Sequence, residues 1–199
     1  MQPAKNSVLT RLRQAWRASI VLTSMMPTLL GGAFSSLAYQ GTAWSASTTP
    51  EYQLKAVFIF SFLQFVEWPP QSFTAADSPL VIGILGNDPF GQVLDETVRG
   101  EVVNGRSLVV KRYKSVADIK DCHLLYISRS EAAQMSQLLG SLKNKNILTV
   151  SDVETFNRDG GIIRFATMDN KIRLHINNQA AKGAELVISS KLLKLADVT

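Results

Sequence analysis

Cysteine is almost missing from this chain: among 199 residues there is only Cys122. A single thiol cannot close a disulfide within the chain, so packing has to supply the stability. Histidine is nearly as scarce, with His123 and His175 alone and no H-x-H or H-E-x-x-H spacing. Metal centres gather several His, Cys, Asp or Glu side chains, so none is expected. There is no G-x-S-x-G elbow, no G-x-G-x-x-G and no G-x-x-x-x-G-K-[ST]. Gly83-Ile84-Leu85-Gly86-Asn87-Asp88-Pro89-Phe90-Gly91 does join a predicted strand to a predicted helix, where phosphates bind in other folds. But Pro89 removes one N–H that would hold a phosphate. The segment therefore reads as a turn, with Asp88 as N-cap and Pro89 at the first helical position. Cys122 and His123 are neighbours on a predicted strand and point to opposite faces, so they make no catalytic pair. Cys122 reads as a buried, unpaired thiol, with a reactive or intermolecular one as the alternative. Asp95, Glu96, Asp152 and Glu154 read as solvated carboxylates near helix ends. Nothing here demands an enzyme or a cofactor.

Acid is also missing from the first 38 residues, which carry Lys5, Arg11, Arg13 and Arg17. An apolar stretch from Ala18 to Leu30 follows, then small residues up to Ala38. A positive start, an apolar middle and a small-residue exit make a bacterial-type signal peptide, with cleavage expected after Ala38. Gly41-Thr42-Ala43 is a second candidate. An uncleaved anchor is the competing reading, since a bilayer takes about 20 helical residues. Pro27, Gly31 and Gly32 weaken it. The leader holds four of the 21 basic residues and none of the 16 acidic ones, leaving 17 against 16. The basic balance belongs to the leader and gives no case for a nucleic-acid partner.

The expected organisation is a signal peptide over 1–38, a flexible lead-in over 39–50 and one α/β domain over 51–199. Glu51 to Glu67 places Leu54, Phe58, Phe62 and Phe65 at steps of three and four, with apolar residues on the other sides too. That pattern predicts a helix buried on most sides. Trp68-Pro69-Pro70 stops it. Strands are predicted at Leu80–Leu85, Ser107–Tyr113, His123–Ile127 and Asn146–Val150. Helices are predicted from Asp88 to about Val98, from Val116 to Lys120, and after Ser130 as cap. Such alternation predicts a mostly parallel sheet with helices on both faces, a three-layer α/β/α domain.

The last third changes character. Ile162–Ala166 and Lys171–Ile176 flank Asp169-Asn170, two residues that tolerate positive φ, so a C-terminal β-hairpin is predicted. Met168 then pairs with Lys171, Phe165 with Leu174, and Arg164 with His175. One face carries Ile163, Phe165, Leu174 and Ile176; the other carries Arg164, Ala166, Arg173 and His175. A short helix over Asn178–Ala181 and a last helix over Ser189–Leu195 follow, the latter buried through Leu192, Leu193 and Leu195. Two candidate binding groups emerge. Arg164, Arg173 and His175 offer donors to an acidic partner or anionic ligand, unless the face is merely solvated or covered by the last helix. Phe62, Phe65 and Trp68 form an aromatic contact patch, unless they are plain core.

Taken in order, several short segments resemble one family. They are Tyr52-x-Leu54-Lys55-Ala56 with the aromatic run to Glu67-Trp68-Pro69; Ile84-x-Gly86-x-Asp88-Pro89-Phe90-Gly91; Gly105-Arg106; Cys122 with Leu125-Tyr126-Ile127-Ser128; Ile147-Leu148-Thr149-Val150-Ser151-Asp152; Phe156 with Gly160-Gly161-Ile162-Ile163; Ile172-Arg173-x-x-Ile176-Asn177; and Ser189 to Ala196. The chain resembles the YfiR family of periplasmic regulatory proteins, the YfiR/HmsC-like repressors. The resemblance implies an α/β sheet flanked by helices and repression of an inner-membrane diguanylate cyclase of the YfiN type through its periplasmic part. It further implies an outer-membrane lipoprotein of the YfiB type that sequesters the repressor, and a homodimer. A small-ligand sensor subunit for a receptor kinase or transporter is the alternative. Relatives commonly carry paired cysteines. The resemblance puts the partner of Cys122 in the strand Leu80–Leu85, where Gly83 stands, and a second pair around Gly160-Gly161, where none exists.

Overall fold

The structure is a computed structural model, and it describes residues 49–169 and 171–199. The predicted leader and most of the lead-in lie outside the described residues.

Helix α1, Pro50–Phe65, starts on a proline whose fixed φ suits the first turn, with Glu51 near the positive helix end. It has no polar side of any width. Ala56, Ile59, Phe60, Phe62 and Leu63 are buried, and so is Lys55. The buried face is rotated from the one expected, for Leu54 is 48 % exposed. The chain turns extended at Val66, three residues before Pro69, and Val66–Glu67 forms β1. Strand β2, Leu80–Leu85, is buried along its whole length. Helix α2 spans Gln92–Val98. It begins later than expected because Gly91, at φ +54° and ψ −134°, breaks helical geometry; the Asp88 carboxylate takes the N–H groups of Phe90 and Gly91, at 2.7 and 3.2 Å, in a turn ahead of it.

Then follow β3 (Val102–Val103), β4 (Arg106–Tyr113) and β5 (Leu124–Ile127). The short helix expected over Val116–Lys120 is a 3-10 turn, Val116–Asp118, boxed by Ser115 and Asp118. The helix expected from Ser130 splits in two: a 3-10 stretch, Arg129–Gln134, capped by Ser128, and then α3, Met135–Leu142. Strand β6 is Leu148–Ser151. Strands β7, Ile163–Met168, and β8, Lys171–Ile176, pair antiparallel with Met168 opposite Lys171, Phe165 opposite Leu174 and Arg164 opposite His175. Helix α4 is Asn178–Gly183, β9 is Val187–Ile188, α5 is Ser190–Leu193 and β10 is Asp197–Val198. In the last helix Leu192 is buried and Leu193 partly so, but Leu195 lies beyond its end and is 75 % exposed.

The strand order is β10-β8-β7-β6-β5-β2-β4-β3, and β1 pairs with β9 in a separate two-stranded ladder. Five of the pairings in the large sheet are parallel; β3–β4 and β7–β8 are antiparallel. The described residues are therefore an α/β domain on a mostly parallel sheet. Side chains alternate along each strand and feed two cores. Ile82, Ile84, Leu124, Tyr126, Leu148 and Val150 pack with α1 residues in one. Leu85, Leu125, Ile127 and Phe156 pack with Met135, Leu139 and Leu142 of α3 in the other. Phe62 is fully buried, stacked on Phe165 with centroids 5.7 Å apart. Phe62→Ala removes a whole ring from a closed core and is expected to cost about 3–5 kcal/mol, read as a lower urea midpoint.

Strand β2 lies between β4 and β5, so the chain leaves it in one direction and returns on the other side. In open parallel sheets the crevice at the carboxyl ends beside such a reversal is where ligands and functional side chains collect.

Candidate interaction site

At that end of the sheet lies a cluster the sequence did not reveal. Asp152 follows β6 directly, Tyr126 sits in β5, and α1 brings Tyr52 and Lys55 over both. The Lys55 Nζ donates to Asp152 Oδ2 at 2.6 Å, and the two side chains are 0 % and 1 % exposed. The Tyr52 hydroxyl donates to the same oxygen at 2.8 Å. Arg129 Nε approaches Asp152 Oδ1 to 3.0 Å, an ion pair without an aligned hydrogen bond. Lys55 also meets Glu51 Oε1 at 2.6 Å, and Glu51 takes the Thr167 hydroxyl of β7 at 2.9 Å. Burial alone would raise the Asp152 carboxyl; the Lys55 hydrogen bond and charge, with Tyr52 and Arg129, outweigh it and hold the carboxyl below its usual range. Burial and the Asp152 charge push Tyr52 up to about 12, and burial first of all pushes Tyr126 up as well. The Tyr126 hydroxyl is buried without a hydrogen-bond partner among the described residues. The expectation of Asp152 as a solvated carboxylate is thus corrected: a cation arriving on a distant helix lets the acid be buried. Asp95 is not free either, since both its oxygens take bonds from Arg112, which also binds Asp88 at 2.8 Å.

The loop after β2 is closed by its own groups. Asp88 occupies two of its N–H donors, and Asn87 N–H goes to Ser130 Oγ at 3.0 Å. A Cβ on Gly86 would lie 2.4 Å from that same oxygen, and φ there is +86°. This leaves no cradle of free N–H groups for a phosphate.

The hairpin brings the basic candidates together. Arg164 stands opposite His175, and Arg173 opposite Ala166 on the next pair. Arg164 is half-buried, its Nε 3.3 Å from Asn157 Oδ1 in the loop after β6. His175 is half-buried, with Nδ1 3.8 Å from Asp197 Oδ2 on β10. Arg173 is exposed and has no ion pair among the described residues. The last helix does not cover this face, because its Leu192 belongs to the core on the opposite side, with Phe165 and Leu174.

The aromatic candidates lie on that opposite side. Phe62 is core and offers no surface, whereas Phe65 and Trp68 are partly buried against it. Trp68 Nε1 donates to the His123 carbonyl at 3.0 Å, which fixes the ring. His123 itself is a structural residue. Its Nδ1 takes the Val81 N–H at 3.0 Å and its Nε2 faces the Ser72 carbonyl at 3.1 Å, so the neutral ring is held, and burial lowers its basicity. Cys122 is buried, and burial pushes its thiol up to about 12. A thiol of that kind is not a nucleophile at neutral pH.

These features define a class: a single α/β domain on a mostly parallel sheet, with a basic hairpin face at one edge and a buried ion cluster at the carboxyl end. Within it, the sequence profile of the YfiR/HmsC-like family matches residues 52–197, and the chain belongs to that family. No curated protein matches it. Among solved structures, the crystal structure of a conserved domain protein from Vibrio cholerae is similar in fold, at 13 % identity and a TM-score of 0.51. The likeness covers 74 % of this chain and 60 % of that one.

Proposed function

We propose that this protein is a periplasmic regulatory binding protein, not an enzyme. In this reading it represses an inner-membrane diguanylate cyclase by binding the cyclase's periplasmic part, so lowering cyclic di-GMP and biofilm formation. The observation that carries it is membership of the YfiR/HmsC-like family over nearly the whole described domain. The leader pattern supports export across the inner membrane. No described helix is long and apolar enough to cross a membrane. The mechanism is a population shift: a protein that binds the inactive cyclase more tightly lowers the active fraction. A lipoprotein of the YfiB type would relieve repression by competing for the repressor, and a homodimer is the form the family suggests.

The docking surface we assign is the hairpin face, with Arg173 as its uncommitted cation and Arg164 and His175 beside it. Phe65 and Trp68 are a second, weaker candidate. Deleting the gene is expected to raise cyclic di-GMP, and unchanged cyclic di-GMP with unchanged surface attachment would sink the repressor reading. A membrane pull-down with Arg164→Glu/Arg173→Glu is expected to lose the cyclase while the far-UV spectrum stays native. Capture of a receptor kinase or transporter component instead would move the assignment to a sensor subunit.

A further inference from the structure

The N-terminal end of β6 opens onto a cleft of about 560 Å³ between α3 and α4. That volume lies in the range of small-molecule sites, about 300–1,000 Å³. Its apolar lining comes from Leu139, Leu142, Ile147 and Ile162.

Two glycines in it lack a reason within the fold. Gly140 lies inside α3 and Gly183 ends α4, both with negative φ. A Cβ built on either meets nothing within 4 Å. Neither turn geometry nor packing demands glycine at these positions, and glycine weakens a helix. Glycine at both positions leaves the helix backbone open for something to approach closely.

The polar groups say what that something is. Thr149 is 5 % exposed and lines the cleft; its hydroxyl oxygen takes the Ile162 N–H at 3.1 Å, and its proton has no acceptor among the described residues. Lys143 and Lys145 line the same cleft, are exposed, and have no ion pair among the described residues. The one carboxylate there, Asp159, already takes the Thr155 hydroxyl at 2.5 Å. A buried donor and two uncommitted ammoniums above an apolar floor suit one acidic group on an apolar body.

We infer that this cleft is a binding site for a small amphiphilic organic anion, giving the regulator a ligand input separate from its hairpin face. The test uses 8-anilinonaphthalene-1-sulfonate as probe on the protein purified after expression with its own N-terminal segment. Saturable binding is expected, with the amide resonances of Gly140 and Gly183 shifting and those of Gly100 and Gly105 staying in place. Gly140→Leu fills the cleft and improves helix propensity, so it is expected to fold and to bind at least tenfold more weakly. Lys143→Glu/Lys145→Glu is expected to weaken binding about tenfold by reversing the charge at the rim. Absence of saturable binding, or shifts confined to other amides, would overturn the site. Equal binding by Gly140→Leu would do the same. Loss with Gly140→Leu but not with the lysine reversal would keep the cleft and overturn the anion.

Discussion

Asp152→Ala is expected to lower the unfolding free energy by about 3–5 kcal/mol, because it leaves the Lys55 ammonium buried with its main acceptor gone. In a domain of this size that is a fall of order 10 °C in Tm. The carboxylate has three cationic or hydroxyl donors around it, Lys55, Tyr52 and Arg129; without it the ammonium keeps one carboxylate among the described residues, Glu51, whose side chain is 38 % exposed, and the face of the Tyr52 ring at 4.4 Å. Lys55→Met/Asp152→Leu removes both charges at once and is expected to recover most of the loss, since a buried pair replaced by apolar groups is often neutral. A loss below about 1 kcal/mol for Asp152→Ala would mean the pair is hydrated rather than buried. The pH dependence has a definite sign. The Asp152 and Glu51 carboxyls both lie below their usual values in the folded protein. Their contribution is thus fully present above the unfolded values, about 3.9 and 4.3, and is lost as pH falls below about 4 through the folded values. Wild-type stability should fall more steeply in that window than that of the Asp152→Ala variant, as read by urea titrations at successive pH values.

Gly83→Cys is expected to form a disulfide with Cys122. A Cβ built on Gly83 lies 2.8 Å from the Cys122 sulfur, so the resemblance's placing of a missing partner on this strand has a geometric counterpart. Closing a loop of about 40 residues stabilises by up to about 4 kcal/mol in the chain-entropy picture. The Tyr113 and Leu125 side chains, 2.7 and 2.8 Å from the same Cβ, must yield and will subtract from that. The oxidised variant should titrate no free thiol and melt higher than its reduced form. A persistent free thiol under oxidising conditions would show that the two strands cannot bring the sulfurs into bonding geometry.

The hairpin was legible because its signals are local. Period-two alternation sorted Ile163, Phe165, Leu174 and Ile176 from Arg164, Arg173 and His175, and Asp169, with φ of +49°, marked the reversal. Strand β2 was legible as an unbroken apolar run, as parallel strands covered on both faces are. The ion cluster was not. Lys55 and Asp152 are 97 residues apart, and each alone resembles an ordinary surface charge. Only the crossover that sets α1 above β5 and β6 brings them together. The start of α2 was misplaced because Asp-Pro is a good helix opening and an equally good turn, and Gly91, at φ +54°, separates that turn from the helix. The strands of two residues carry too few positions for any period to register.

The β1–β9 ladder joins Val66 to Ile188 and Glu67 to Val187, so the first described helix is anchored by almost the last part of the chain. The Phe65 carbonyl likewise takes its hydrogen bond from Ser189. A polypeptide that emerges amino end first therefore presents α1, with its nearly all-round apolar surface, long before this ladder can form. Contacts of such wide sequence separation form late and slowly. Strands β2, β5 and β6 can cover part of the helix earlier, but its carboxyl end stays unpaired until residues 187–189 arrive. An early stop codon just upstream of Val187 would consequently remove little mass yet leave the nascent chain sticky, a substrate for chaperones and proteases rather than a shortened regulator.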